Sequence, residues 1–161
     1  MIDKRRKNYR HQEREDDFFS EVIQIKRVSK KTKGGNQISF TALMVAGDQN
    51  GRVGVALGKG EDVLSAINKG KKLAKKRFFT VSRCQATICH DILVKRGAAK
   101  VFLKPAPPGS GIIASQAIKV VMEAVGIQDI SAKILGTSNR TSNVYAVIQA
   151  FKELKKHESI K

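Results

Sequence analysis

Aromatic side chains are scarce in this chain. Among its 161 residues there is no tryptophan, and only two tyrosines and seven phenylalanines are present. A basic segment that lies on a membrane needs bulky aromatic anchors, and proteins that hold single-stranded nucleic acid stack its bases on aromatic rings. The shortage argues against both kinds of partner. No segment approaches the ~18 consecutive apolar residues of a spanning helix either.

Cysteine is equally rare, since Cys84 and Cys89 are the only two. So small a number predicts a reducing compartment rather than a disulfide framework. The pair lies on a segment that reads as a strand, where this spacing turns the side chains to opposite faces, so we expect no local bridge. Residues 1–17 mix both charge signs without an apolar stretch. They are therefore no secretory signal, and we expect a soluble, unexported chain.

Acidic residues are the third shortage. Lys and Arg number 31 against 14 Asp and Glu, which gives a formal net charge of +17. Such an excess favours a nucleic-acid partner over a membrane surface. Because few rings are available to stack unpaired bases, we expect contacts with the backbone and shape of folded RNA rather than base reading.

Positive charge is concentrated in residues 27–35, whose sequence is RVSKKTKGG. We interpret this segment as a tight loop between two strands. Its cations can neutralise phosphates, and its paired glycines allow the backbone to approach the same polyanion closely. The sequence therefore predicts a phosphate-binding loop here.

The first half of the chain predicts the order β-β-β-α. Residues 22–28, 38–46 and 52–58 carry β-branched residues with partial two-residue alternation. The turn at 47–51 contains Asn50-Gly51, a step that supplies the positive φ angles of a tight hairpin. A helix over 61–78 follows, with one face formed by Val63, Ile67, Gly70, Leu73, Ala74 and Phe78.

Lysines crowd the rest of this helix, namely Lys69, Lys71, Lys72, Lys75 and Lys76. A charge run of this kind is usually a solvated helix face. Acidic partners at four-residue spacing are nearly absent, however, which indicates an external anion. Both interpretations stay open.

The second half predicts the order β-β-α-β-α. Strands over 84–94 and 98–104 turn at 95–97, and three prolines with two glycines forbid regular structure over 105–111. A helix over 112–125 ends at Gly126, a residue suited to the C′ position. A strand over 130–135 and a helix marked by Val144 to Leu154 complete the order. The fold class is thus α+β with two small domains, neither of which is expected to be very stable alone.

Residues 109–114 match a loose dinucleotide-binding pattern, Gly109-x-Gly111-x-x-Ala114, with Glu123 or Asp129 as a conceivable ribose partner. A dinucleotide fold needs a tight strand-to-helix turn and several parallel β-α repeats, whereas a proline-rich bend precedes these glycines. A structural turn or an anchor for RNA phosphate is the alternative.

Catalytic and metal sites have little support. His11, His90 and His157 lie on separate segments. Cys89 and His90 are strand neighbours that face opposite ways, so they cannot form a nucleophile and base pair. A metal site at Cys84, Cys89 and His90 lacks both loop spacing and a fourth ligand.

Five motifs follow one another along the chain: RVSKKTKGG at 27–35, SFTAL at 39–43, GDQNGRVG at 47–54, LKPAPPGSGIIA at 103–114 and GTSN at 136–139. On these motifs the chain, from residue 19 to residue 154, resembles small-subunit ribosomal protein five of the bacterial and organellar type. Their joint order and spacing are far more specific than any single match.

The resemblance implies a fold. Residues 18–80 would resemble a double-stranded-RNA-binding fold that lacks its first helix, while the polar, highly charged residues 1–17, which show no apolar period, are expected from their composition to be a basic, disordered arm. Residues 81–161 would form a C-terminal domain with a left-handed crossover and a short basic tail. The run from Lys71 to Lys75 is similar to the basic signature of double-stranded-RNA-binding domains, although the ribosomal family engages RNA largely through other surfaces.

The resemblance also implies a function without catalysis, cofactor or metal. The chain would bind small-subunit rRNA, contact the ribosomal proteins numbered four and eight, lie near the path by which mRNA enters, and influence translational accuracy. Its location would be a ribosome in the bacterial cytoplasm or, alternatively, in an organellar matrix or stroma. Changes in the loop at 30–35 are linked in the family to spectinomycin resistance.

Candidate site residues follow from the charge pattern and the resemblance together. Those expected at rRNA are Arg27, Lys30, Lys31, Lys33, Gly34, Gly35, Asn36, Arg52, Lys59, Lys104, Ser110, Asn139 and Arg140. Gly97 and Lys100 are expected at the interface with protein four. Three positions depart from the family pattern: Asn36 replaces the usual Arg, Ser115 replaces a common glycine, and the run Arg140-Thr141-Ser142 replaces a proline-containing link.

Overall fold

The structure is a computed structural model that describes residues 18–154. The expected arm at 1–17, the tail after Leu154, His11 and His157 lie outside this range. The described chain forms β1 (Phe19–Thr32), β2 (Gly35–Gly47), β3 (Arg52–Gly60), α1 (Val63–Lys76), β4 (Phe79–Thr80), β5 (Ile92–Arg96), β6 (Ala99–Pro105), β7 (Ile112–Ile113), α2 (Gln116–Val125), β8 (Ile130–Ile134) and α3 (Arg140–Glu153). Two four-stranded sheets result, ordered β1-β2-β3-β4 and β5-β6-β8-β7. The α+β class with two units is confirmed.

The first sheet is covered on both faces where it crosses the centre of the molecule. From Ala42 to Gly47 every residue of β2 is buried, without alternation. Met44 packs with residues of α1 on one face, while Leu43 and Val45 join the core shared with the second unit. This double burial explains why the sequence shows a nearly continuous apolar run there.

Helix α1 lies directly against the backbone of β3. A Cβ atom at Gly54 would overlap the carbonyl oxygen of Ala74, and one at Gly58 would overlap that of Ala66. On the helix side, a Cβ atom at Gly70 would overlap the side chain of Met44 in β2. The predicted helix is confirmed within two residues at each end. Its residues Lys69, Lys72 and Lys76 are exposed, whereas Lys71 and Lys75 are half-buried.

The second sheet has helices on one face only. Val94, Val101 and Leu103 are buried in the common core with α2 and α3, whereas the alternate residues of β5 and β6 are exposed or half-buried. Strand β7 is connected to β8 by α2 and pairs with it in parallel. The other strand pairs of this sheet are antiparallel. Of the helices within residues 18–154, none has the length and apolar character to cross a bilayer.

The two units share one hydrophobic core and a backbone junction. Val53 and Val55 of β3 belong to the same buried cluster as α2, α3 and the second sheet. In the turn at 47–51, the N–H of Gln49 donates to Ala124 O at 3.1 Å, and that of Gly51 donates to Val125 O at 2.9 Å. We name this contact between the turn 47–51 and the C-terminus of α2 the junction.

The turn 47–51 differs from its predicted geometry. The positive φ angles occur at Gln49 and Gly51, not at Asn50. The reason lies in Asp48, whose Oδ1 accepts from the N–H groups of Asn50 at 2.8 Å and Arg52 at 2.9 Å. An Asx-type turn therefore sets the backbone in place of a two-residue Asn-Gly turn.

The predictions for residues 84–94 were wrong. Cys84 and Cys89 form a disulfide, with their Cα atoms 5.1 Å apart. Instead of continuing as one strand, the chain reverses through Gln85, whose φ is +56°, and Cys84 pairs with Thr87 as an isolated bridge. The two sulfurs therefore meet, and the strand begins only at Ile92.

The helix predicted over 112–125 is shorter than expected. Ile112 and Ile113 form a short strand beside β8, because the bend before them carries the chain along the sheet edge, and the helix begins at Gln116. Its predicted end is confirmed. Gly126 has φ +84°, and its N–H donates to the carbonyls of Met122 and Glu123.

Candidate nucleic-acid interface

The basic segment at 27–35 is a projecting β-ribbon rather than a loop. Strands β1 and β2 pair from Phe19↔Gly47 to Thr32↔Gly35, whereas β3 pairs with β2 only as far as Phe40↔Gly60. The stretch between Val28 and Ser39 therefore extends beyond the sheet as two strands alone. We name residues 28–39 the ribbon. It extends the sheet by about 15 to 20 Å at ~3.3 Å per residue.

Cations lie on both faces of the ribbon. Lys30 is opposite Gln37, and Lys31 is opposite Asn36. Because neighbouring strand residues point to opposite faces, Lys30 and Lys31 extend to opposite sides. The ribbon is exposed apart from half-buried Val28 and Ser39. Phosphates on both sides could therefore be neutralised at once.

The tip of the ribbon is a two-residue turn at Lys33 and Gly34. Thr32 Oγ1 donates to Gly35 O at 2.8 Å and closes it. Gly35 has φ +127°, and a Cβ atom at either glycine would have no neighbour within 4 Å. The glycines thus leave the backbone open to another molecule, as the sequence predicts. Asn36 stands directly opposite Lys31, so the position that departs from the family pattern lies within the cationic part of the ribbon.

A second group of cations lies at the base of the ribbon. Lys26 pairs with Thr41, and Thr41 pairs with Lys59 on the next strand. Residues directly opposite in a sheet share a face, so Lys26 and Lys59 flank Thr41 on one side. Arg27, paired with Phe40, lies on the other side. Sequence reasoning chose Lys59 and Arg27 but missed Lys26, which only strand register could have revealed.

The remaining candidates do not join the ribbon. Arg52 starts β3 at the opposite end of the sheet, where its Nε lies 3.9 Å from Asp48 Oδ2. Lys100 and Lys104 are exposed on β6, on the face of the second sheet that no helix covers. Lys95 is paired with Lys100, and Lys133 is paired with Phe102, so both lysines lie on this same face. The sequence analysis missed both of them. This exposed sheet face is a second cationic surface.

Several candidates make structural contacts of their own. Ser110 Oγ donates to Pro107 O, and Asn139 Oδ1 accepts from the Thr141 N–H at 3.2 Å as the N-cap of α3. Arg140 is the exposed first residue of that helix. Gly97, with φ +58°, forms the turn between β5 and β6. The sequence-predicted residues thus divide into three groups: the ribbon and its base, Arg52 at the start of β3, and the second unit.

Helix α1 presents exposed Lys69, Lys72 and Lys76 on its outer side. Lys75 lies with its Nζ 5.5 Å from the ring centroid of Phe18, a cation–π contact. Phe18 in turn packs edge-on against Phe78 at 5.3 Å. Part of the lysine run therefore supports local packing, and three lysines extend outward.

The glycines of the dinucleotide pattern form a bend that is held by hydrogen bonds. Of the two conceivable ribose partners, buried Asp129 accepts at its Oδ1 from the Gly111 N–H at 2.9 Å and so fixes the glycine bend. The other, Glu123, has its Oε1 3.9 Å from Lys119 Nζ on the same helix. The carbonyl of Gly111 accepts from the Ile130 N–H at 3.2 Å. These bonds tie the bend to β8, which supports the alternative of a structural turn.

Two family models match this chain, one for each unit. Residues 18–82 match the model described as "Ribosomal protein S5, N-terminal domain" and residues 94–161 match "Ribosomal protein S5, C-terminal domain". The chain belongs to the ribosomal protein S5 family. The resemblance drawn from the motifs is thereby confirmed.

Two cyanobacterial relatives of this family member share most of its length. The small ribosomal subunit protein uS5 of Rippkaea orientalis is 45% identical over 153 residues, covering 94% of this chain and 88% of the relative. The protein of the same name from a Picosynechococcus strain is 42% identical over 158 residues, covering 98% and 91%. The similarity therefore extends across both units.

Proposed function

We propose that the chain is a structural constituent of the small ribosomal subunit that binds rRNA. Membership of the family and the names of its relatives support this role. The observation that carries the RNA contact is the ribbon, which extends three cations beyond the sheet, with Lys30 and Lys31 on opposite faces and Lys33 in the tip. An isolated two-stranded ribbon is marginally stable in water, so RNA on both sides would order it.

The proposal extends to the setting of the protein. Residues 18–80 would form the RNA-binding-like unit and residues 81–161 the C-terminal unit. Gly97, on the turn between β5 and β6, and Lys100, at the start of β6, would face ribosomal protein four, and protein eight would be a further neighbour. The chain would lie near the incoming mRNA and influence translational accuracy, within a bacterial cytoplasmic ribosome or an organellar one. The role is one of scaffolding rather than catalysis.

The ribbon contact is tested by replacing Lys30, Lys31 and Lys33 with Ala. Each phosphate neutralised contributes about 0.7 to 0.9 to the log-log salt slope of binding. We therefore expect a slope smaller by about two to three in a filter-binding salt series with small-subunit rRNA. An unchanged slope would remove the ribbon from the interface.

A matched control removes the same charge elsewhere. Replacing Lys69, Lys72 and Lys76 with Ala takes three exposed cations from α1, while alanine preserves helix propensity. The ribosomal role predicts a clearly smaller change in slope than the ribbon variant gives. A free-standing double-stranded-RNA-binding module, the competing function favoured by the basic helix, predicts the reverse and equal affinity for any RNA duplex.

A further inference from the structure

A groove of about 630 Å³ opens where the two units meet between β3, β4, β5 and α3. This size lies within the range of small-molecule sites, roughly 300 to 1,000 Å³. Three cations and three aromatic residues line it: Arg77, Arg96, Lys152, Phe78, Phe79 and Tyr145. We name it the junction groove; the residues that line it are distinct from those of the junction between the turn 47–51 and α2. None of the described residues that line it is acidic.

The cations and rings of the junction groove are layered on one another. The Arg96 guanidinium carbon lies 4.8 Å from the ring centroid of Tyr145, and Lys152 Nζ lies 5.4 Å from that of Phe79. The three rings are half-buried, while the cationic side chains belong to exposed residues. Flat surfaces therefore lie inside the groove, and positive charge lies around its opening.

This combination selects a ligand with both a flat ring and a negative charge. A simple anion gains nothing from three aromatic residues, and a purely apolar ligand gains nothing from three cations. A nucleobase stacks on aromatic rings and on Arg guanidinium planes, while its phosphate pairs with Arg and Lys. We propose that the junction groove binds one unpaired ribonucleotide, with the base on the Tyr145–Arg96 layer and the phosphate among the cations.

The nucleotide has two possible sources, an unpaired residue of an RNA or a free nucleotide. The RNA source rests on the proposed function, since it requires the chain to bind RNA. It also changes one expectation from composition, because three of the nine aromatic residues of the chain, Phe78, Phe79 and Tyr145, line this one groove. The groove can then stack a single base while the other surfaces of the protein recognise the shape of the RNA.

The chain carries its own reporter for this binding. It contains no tryptophan, and its two tyrosines are Tyr9 and Tyr145. In a Tyr9→Phe background, tyrosine fluorescence therefore comes from Tyr145 alone. Three probes are titrated into the full chain: an RNA hairpin with one bulged adenosine, the same hairpin fully paired, and AMP.

We expect the bulged hairpin to quench Tyr145 and to bind at least about 5-fold more tightly than the paired one, since stacking a base contributes roughly 1 to 3 kcal/mol. Tighter binding of the bulged hairpin than of AMP identifies RNA as the source. Comparable quenching by AMP identifies a free nucleotide. Absence of quenching by both, with equal affinity for the two hairpins, overturns the inference.

Variants locate the effect within the groove. Arg96→Gln and Tyr145→Leu should abolish the preference for the bulged hairpin, whereas Tyr145→Phe should remove the fluorescence and keep the preference. Lys95→Gln is the matched control, because Lys95 adjoins Arg96 on β5 but faces the opposite side of the sheet. It should weaken both hairpins equally. If it removes the preference as Arg96→Gln does, general charge explains the binding and the inference fails.

Two checks keep these outcomes interpretable. Tyr145 packs against the common core, so thermal melting must show that its variants fold. Arg96 is exposed and is not part of the core cluster, so its replacement tests the groove without removing a core side chain. If the groove does not bind a nucleotide, the salt slope of rRNA binding stays as expected and only the preference for the bulged hairpin is absent. Failure of the proposed function appears instead as loss of selective rRNA binding by the unmodified chain.

Discussion

The two glycine-containing turns at the ends of β2 have opposite surroundings. At the ribbon tip, a Cβ atom on Gly34 or Gly35 would meet nothing within 4 Å. At the junction, a Cβ atom on Gly47 would overlap the carbonyl oxygen of Ala124, and one on Gly126 would overlap that of Gln49. Both turns give the same sequence signal. One turn leaves its backbone exposed, and the other packs its backbone against the C-terminus of α2.

The largest expected effect comes from adding a side chain at the junction. Gly126→Ala should lower the free energy of unfolding by about 3 kcal/mol, because it combines a backbone clash with an unfavourable φ of +84°. Urea unfolding followed by far-UV circular dichroism measures the change. The common core predicts that both units unfold in one transition.

Gly109→Ala is the matched control for this substitution. Gly109 has nearly the same φ, +86°, but open space around its Cβ position. It should show only the cost of the left-handed conformation, roughly 1 to 2 kcal/mol. Equal losses in the two variants would show that the junction contact contributes nothing beyond backbone strain.

A smaller and local effect is expected at Gly35, whose φ is +127°. Gly35→Ala should destabilise the ribbon by about 1 kcal/mol. Because the ribbon can open without the rest of the sheet, its amides should exchange hydrogen about 5-fold faster while the urea midpoint hardly moves. A shift of the midpoint comparable to that of Gly126→Ala would mean that the tip is coupled to global unfolding.

The smallest structural effect is expected at Gly34, where the φ angle is ordinary and the space is open. Gly34→Ala should change unfolding and amide exchange by less than about 0.5 kcal/mol. If the turn backbone touches phosphate, rRNA affinity should still fall about 5-fold, the equivalent of one hydrogen bond at ~1 kcal/mol. Unchanged affinity would show that only the side chains of the ribbon reach RNA.

Much of the fold could be predicted because local signals agreed with it. The spacing from Val63 to Phe78 marked α1, and Gly126 marked the end of α2. The sequence could not show that the turn at 47–51 packs on α2, since Gly47 and Gly126 look like ordinary turn glycines until the two units are placed together. The reversal at Gln85 was missed for a similar reason: a polar residue with positive φ leaves little trace in the sequence.

The candidate site was predictable in part. Charge density indicated the ribbon, but strand register was needed to place Lys26 beside Lys59 and to put Lys30 and Lys31 on opposite faces. Asn139 and Ser110 matched the family motifs, yet their side chains bind the local backbone. The junction groove was invisible to sequence reasoning, because Arg96, Phe79 and Tyr145 are far apart along the chain.

Strand β2, thirteen residues long, begins at the ribbon tip and ends at the junction. At ~3.3 Å per residue it is a continuous strand of roughly 40 Å. One end leads into the turn whose backbone hydrogen-bonds to α2, and the other end pairs with β1 alone. A force applied at the tip would therefore reach, through β2 and its partner β1, the place where the two units are joined.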